Sequence, residues 1–230
     1  MISLFLISLL TPEAPFVSPF PSASPSSSTS SGVHPKYQDC VRLVAKDLEI
    51  GRISARQWTE EGGGALAQHC LAVADIAAGF PKLGAARLAD ISKRSDAGDR
   101  NARGRVLAQA ALAWLDGEET KLAQDAIVEA LQYAPELGEL HVVAAAVFAA
   151  AENWEAASEA ADIAEAESLA TAETFIVRAR ANRVLGKDYE AAEDVVSALT
   201  LDPFNLDALV LRGELKQVGI DIETFYSDDN

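Results

Sequence analysis

The sequence is short of aromatics, basic residues, cysteine and histidine, and each shortage removes a class of protein. Aromatics make up 7% of the 230 residues while hydrophobic residues reach 49%, so alanine fills much of the apolar share. Alanine has the highest helix propensity and lets helices approach closely, whereas a β-rich fold draws on Val, Ile, Thr and aromatics. The composition therefore predicts an all-α chain of many thin, closely stacked helices. Lys and Arg number 19 against 35 Asp and Glu, a net charge of −16. Binding to nucleic acid depends on Lys and Arg displacing counterions from phosphates, so no nucleic-acid partner is expected, and an anionic membrane surface is repelled for the same reason. The three histidines, His34, His69 and His141, lie far apart, and the two cysteines form no Cys-x-x-Cys. No metal spacing, cofactor fingerprint or nucleophile–base constellation is present, so neither a metal, a cofactor nor a catalytic residue is expected.

What is there begins with an apolar run, Ile2 to Leu10, followed at once by Pro12, Glu13 and Pro15. As a helix it would span about 14 Å, too short for a bilayer but the length of the apolar region of a secretory signal. No basic residue precedes it, since the first is Lys36, and no Ala-x-Ala cleavage site follows. Two readings stand: an export leader over residues 1–15, or a sticky end on a disordered tail. Residues 16–35 are rich in Pro and Ser and bury too little to offset the entropy of ordering, which predicts a flexible linker. The folded part is expected from Lys36, with no membrane insertion of the mature domain. The expected location is periplasmic or otherwise exported, with the cytoplasm as the alternative.

The strongest signal is a period of 34 residues. It relates Leu107, His141, Phe175 and Leu209, and it relates Ala111, Ala145, Ala179 and Gly213, all small. Ala123, Ala157 and Ala191 keep it, as do Ala130, Ala164 and Ala198; Pro135 and Pro203 lie two periods apart with Leu169 between them. Each unit reads as two helices. The first copy has helices over 104–115 and 119–133, turning at Asp116-Gly117. Glu152-Asn153 and Gly186-Lys187-Asp188 turn the next two, with Trp154 and Tyr189 opening the return helices. Proline ends a unit because its ring and missing amide stop a helix.

This pattern is similar to the tetratricopeptide repeat (TPR) family, on Ala111, Ala123, Ala130 and Pro135 and their counterparts. The resemblance implies an all-α fold, an α-solenoid of helical hairpins, with repeats at 104–137, 138–171 and 172–205 and a final helix at 206–219. A degenerate copy is expected at 65–98, with helices over 65–78 and 85–91 around a turn at Gly79 to Gly84. A polar loop over 94–104 would follow. An N-terminal capping pair would fill 36–64, with helices over 37–50 and 54–61; the solenoid region would run from 65 to 230, with 228–230 fraying. The chain also resembles bacterial exported proteins that join such repeats to an N-terminal cysteine pair, on Cys40, Trp58, Gly62-Gly63-Gly64 and His69-Cys70.

Cys40 and Cys70 are expected on helices packed antiparallel around a turn near Gly51. In an exported protein they would form a disulfide, contributing about 3–4 kcal/mol by closing the loop between them. Two reduced core thiols or a redox pair are the alternatives. The three glycines lack the strand and the Gly-Lys-Ser/Thr of a phosphate loop, and read as a helix break. Adjacent His69 and Cys70 point about 100° apart on a helix and cannot easily share a ligand.

The family resemblance places a partner-binding groove along the first helix of each unit. Mapped onto this chain it comprises Arg105, Ala108, Leu112, Val142, Ala146, Ile176, Arg180, Arg183, Val210 and Glu214. Arg180 and Arg183 would take a ligand carboxylate, or else pair with Glu173, Glu214 or Asp207. The family's carboxylate clamp uses Lys and Asn where this chain has Ala108 and Leu112, which argues against that specificity. Glu155, Glu159, Asp162 and Glu165 read as a solvated acidic face. The expected function is a non-catalytic scaffold for a protein or peptide ligand. The alternative is a self-associating structural subunit, a homo-oligomer through the last helix at Leu206 to Val218.

Overall fold

The structure, a computed structural model, describes residues 34–222. The apolar leader, nearly all of the Pro/Ser-rich linker and the Asp228-Asp229-Asn230 tail lie outside the described residues. Within them the secondary structure is helical, with no strand. The helices are α1 (Pro35–Lys46), α2 (Leu48–Glu60), α3 (Gly64–Ala77), α4 (Pro81–Ser92), α5 (Arg100–Asp116) and α6 (Thr120–Tyr133), then α7 (Gly138–Ala150), α8 (Trp154–Ala166), α9 (Ala172–Val184), α10 (Asp188–Leu201) and α11 (Leu206–Gln217). Two compact units divide the chain, Met1–Leu140 and His141–Asn230. In the first, α1 to α6 pack in sequence as antiparallel pairs, and α1 also reaches α3; in the second, α8 to α11 pack in sequence, with α11 also reaching α9. The fold is an all-α solenoid of helical hairpins.

Local chemistry explains where the helices start. Asp47 accepts from the Ile50 amide at 3.1 Å, Asp99 from Ala102 at 2.8 Å and Asn205 from Ala208 at 3.2 Å. Each side chain satisfies an amide that a helix N-terminus otherwise leaves bare. Thr171 and Thr174 form a reciprocal capping box on α9, and Pro35 and Pro81 sit in first turns where no amide is missed.

The periodic small residues are core residues. Ala111, Ala179, Ala123, Ala157, Ala191, Ala130, Ala164 and Ala198 are fully buried, as small residues must be where neighbouring helices close up. Larger residues fill what remains: Leu88, Ile91 and Val106 in the first unit, Ile176, Val195 and Leu215 in the second.

Three expectations about helix ends are corrected. The first hairpin turns at Asp47, whose extended backbone ends α1 and whose carboxylate caps α2, and not near Gly51. Gly51 lies inside α2, buried against α1: a Cβ there would stand 2.5 Å from the Val44 Cα. Gly79 to Gly84 is not all turn, because Pro81 starts α4. The polar loop ends before Arg100, since Asp99 caps α5 a full turn earlier than the repeat pattern suggests.

Candidate interaction surface

The N-terminal helices are locked by three kinds of bond. Cys40 of α1 and Cys70 of α3 form a disulfide, with Cα atoms 6.4 Å apart. The cysteines do not sit on the two arms of one hairpin; the whole of α2 separates their helices. Beside the bridge, the Tyr37 hydroxyl lies 2.8 Å from His69 Nδ1, and His69 Nε2 lies 2.7 Å from Gln109 Oε1. With Gln109 presenting its carbonyl, Nε2 carries the proton and Nδ1 accepts from Tyr37. A polar file thus joins α1, α3 and α5. His69 is fully buried, and that burial lowers its pKa to about 4, against the opposing pull of the Gln109 hydrogen bond. Burial likewise pushes the Tyr37 phenol well above its ordinary value.

The third bond is ionic. Asp75 on α3 is buried and receives Arg52 Nε of α2 at 2.7 Å and Arg87 Nε of α4 at 2.8 Å. Arg52 also lies over the Phe80 ring, 4.7 Å from its centroid. One carboxylate therefore ties three helices together.

The expected groove positions fall into three groups. Ala108 and Ile176 are buried and offer almost no surface. Leu112, Val142 and Ala146 are half-buried, and Val210 is exposed. The charged positions are already engaged. Arg105 pairs with Glu139 in the first unit. In the second, Arg180 Nη2 lies 2.6 Å from Asp207 Oδ1, and Arg183 pairs through Nη1 with Glu214. Arg183 Nε, 3.7 Å from Asp188, is buried without a hydrogen bond. Of the local partners named above, Asp207 and Glu214 are used; Glu173 is not paired with either arginine. The two arginines thus bridge α9 to α11.

Sequence reasoning missed Arg178. Its guanidinium reaches Asp162 at 2.7 Å and Glu165 at 2.6 Å on α8, and Asp194 at 2.6 Å on α10. Asn182 donates to the other oxygen of Asp194 at 3.0 Å. Asp162 and Glu165 are therefore partners of a cation as well as members of an acidic face. Burial opposes the charge on Arg178, but Asp194, Glu165 and Asp162 together hold it more firmly protonated than usual. Burial raises the Asp194 carboxyl, with Arg178 and Asn182 pulling it back. The available signal was Arg178 standing sixteen residues from both Asp162 and Asp194, one helix back and one helix forward.

Among the described residues no group of His, Cys, Asp and Glu is placed to hold a metal ion, and no helix is long and apolar enough to cross a membrane. The hairpin stacking defines the class of the molecule, a helical-repeat protein with the TPR fold. Its solved structural neighbours are TPR proteins. TTC0263, a thermophilic TPR protein from Thermus thermophilus, superimposes with a TM-score of 0.54 at 18% identity, over 79% of this chain and 99% of that one. YrrB, described as a TPR protein with an unusual peptide-binding site, superimposes with a TM-score of 0.59 at 13% identity, over 79% of this chain and 92% of that one. In sequence, no protein-family model and no curated protein matches the chain.

Proposed function

We propose that the protein is a non-catalytic scaffold that holds a protein or peptide segment, and that it works outside the cytoplasm. The observation that carries the binding reading is the charged row between α9 and α11. Arg180–Asp207 and Arg183–Glu214 are part-exposed pairs beside exposed Val210. Such pairs contribute little in water, so a ligand's carboxylate or ammonium can replace the internal partner at small cost. An apolar ligand side chain would then rest on Val210. The shared fold with YrrB, itself described as having a peptide-binding site, supports a peptide or protein ligand. The Cys40–Cys70 disulfide supports a periplasmic or otherwise exported location, because such bonds persist in oxidising compartments.

The test is in-cell cross-linking and capture with the native protein and an Arg180→Glu, Arg183→Glu variant of matched stability. A partner held by the native form and lost by the variant supports this surface. Equal capture by both removes the α9–α11 row from the reading.

A second reading, self-association through α11, is favoured by one observation. Ala111, Ala145 and Ala179 are buried within the array, while Gly213, their counterpart on α11, is exposed with open space where a Cβ would stand. Leu206 and Val210 are exposed on the same helix. Light scattering across concentration decides it: a strict monomer at the highest concentration removes self-assembly.

A further inference from the structure

The second unit holds a feature that the α9–α11 row does not use. The loop after α8, the first turn of α9 and the last turns of α10 enclose an open notch of about 350 Å³. Phe175 forms its floor; Ala170, Val196 and Leu201 supply apolar walls, and Ser197 and Thr200 line it with hydroxyls. Each hydroxyl donates to a carbonyl of its own helix, Ser197 to Glu193 at 3.1 Å and Thr200 to Val196 at 2.8 Å. Their lone pairs are left to accept from an incoming N–H. Val196 and Leu201 are 39% and 58% exposed, so apolar surface is offered to solvent at the rim.

The electrostatics of the surrounding helices are one-sided. Residues 141–222 hold fifteen acidic residues and six basic ones, a net charge of −9. Helix α8 carries Glu155, Glu159, Asp162 and Glu165; α10 carries Asp188, Glu190, Glu193 and Asp194; neither has a Lys or Arg. The cation between them, Arg178, is spent on Asp162, Glu165 and Asp194. Glu165 stands in the notch wall, and Glu167 and Glu193 are exposed close by in sequence.

We infer that this notch is a docking site for a cationic protein segment, which seats one bulky apolar side chain on Phe175 and places flanking Lys or Arg against Glu165, Glu167 and Glu193. Apolar burial supplies the anchor, and the exposed carboxylates, in excess over the single cation Arg178, set the sign of the partner's charge and speed its approach. The site is separate from the α9–α11 row, so it does not rest on that reading.

The test uses fluorescence anisotropy with a labelled synthetic peptide carrying two lysines on either side of a Phe-Leu pair. A second peptide replaces Phe-Leu with Ser-Ser, and a third replaces the lysines with glutamates. The native protein is expected to bind the first at least about tenfold more tightly than either control, and more weakly as salt is raised, since screening shortens the reach of these charges. Thr200→Trp, which fills the notch from an exposed position, is expected to weaken binding at least about tenfold at unchanged helicity. Ser197→Arg serves the same purpose if that variant does not fold. Backbone amide shifts on titration should concentrate at 168–175 and 196–201. Absence of binding at millimolar peptide, equal binding of the Ser-Ser peptide, equal binding by the filled variants, or shifts centred on α11 would each overturn the proposal.

Discussion

The Tyr37 hydroxyl donates to Nδ1 of His69 at 2.8 Å in a buried setting, so the imidazole is held as a neutral acceptor on that side. Protonating it would put a hydrogen where Tyr37 donates and a charge where no water reaches. Its folded pKa of about 4 lies below the ordinary 6.5, so the unfolded chain binds the extra proton between those values. The stabilisation is complete above pH 6.5 and is lost as the pH falls towards 4, by about 3 kcal/mol. Urea unfolding at pH 7 and pH 4.5 should show a marked fall for the native protein. His69→Gln should be less stable at pH 7 and lose much less on acidification; an equal acid loss in both would take the effect away from His69.

The disulfide joins α1 to the rest of the first unit across thirty residues of sequence. Denaturation without reductant should expose no titratable thiol, and finding two would remove the bridge. Reduction, or Cys40→Ser with Cys70→Ser, should lower stability by about 3–4 kcal/mol on the chain-entropy argument. Protection of α1 amides from hydrogen exchange should fall first, because the bridge anchors that helix directly to α3.

The repeat was legible because small residues at Ala111, Ala123 and Ala130 answer to packing inside each hairpin, and that packing recurs every 34 residues. The hairpin turn at Asp47 was less legible. A cap is a single local bond, here from the Ile50 amide to Asp47, and the nearby Gly51 offered a competing and more familiar turn signal. Glycine serves close approach as well as turning, and only the Val44 contact tells which is meant. The side-chain networks of the first unit were not legible. Tyr37 to His69 and His69 to Gln109 span 32 and 40 residues, and Arg52 to Asp75 spans 23. No repeat relates these intervals, because they depend on how one helix leans on another. For Arg180 and Arg183 the sequence offered Glu173, Glu214 and Asp207 as internal partners, and the position of α11 selects Asp207 and Glu214.

The Gly51 contact makes a prediction opposite in sign to helix propensity. In a helix interior alanine is favoured over glycine by about 1 kcal/mol. At this position a Cβ meets the Val44 backbone, Cα at 2.5 Å and N at 2.7 Å, and backbone cannot swing aside as a side-chain tip does. Gly51→Ala should therefore destabilise the first unit by about 2 kcal/mol, through forced separation of α1 and α2. A chemical denaturation curve showing equal or greater stability would mean that the two helices do not approach this closely.

Asp75 provides the sharpest test of what holds the N-terminal helices together. Its carboxylate is 1% exposed, while Arg52 and Arg87 keep 27% and 34% of their side chains in solvent. Removing the carboxylate charge leaves two guanidiniums facing each other across a buried amide, whereas removing one arginine leaves the carboxylate still paired. Asp75→Asn should cost about 3 kcal/mol, the scale for breaking a buried pair from its desolvated side. Arg52→Met and Arg87→Met should each cost clearly less, since the freed surface is partly wet and the remaining arginine still satisfies the acid. Equilibrium unfolding of the three variants checks the ranking. If either arginine variant loses as much as Asp75→Asn, both cations are needed to hold the charge, and the triad acts as one indivisible joint between α2, α3 and α4.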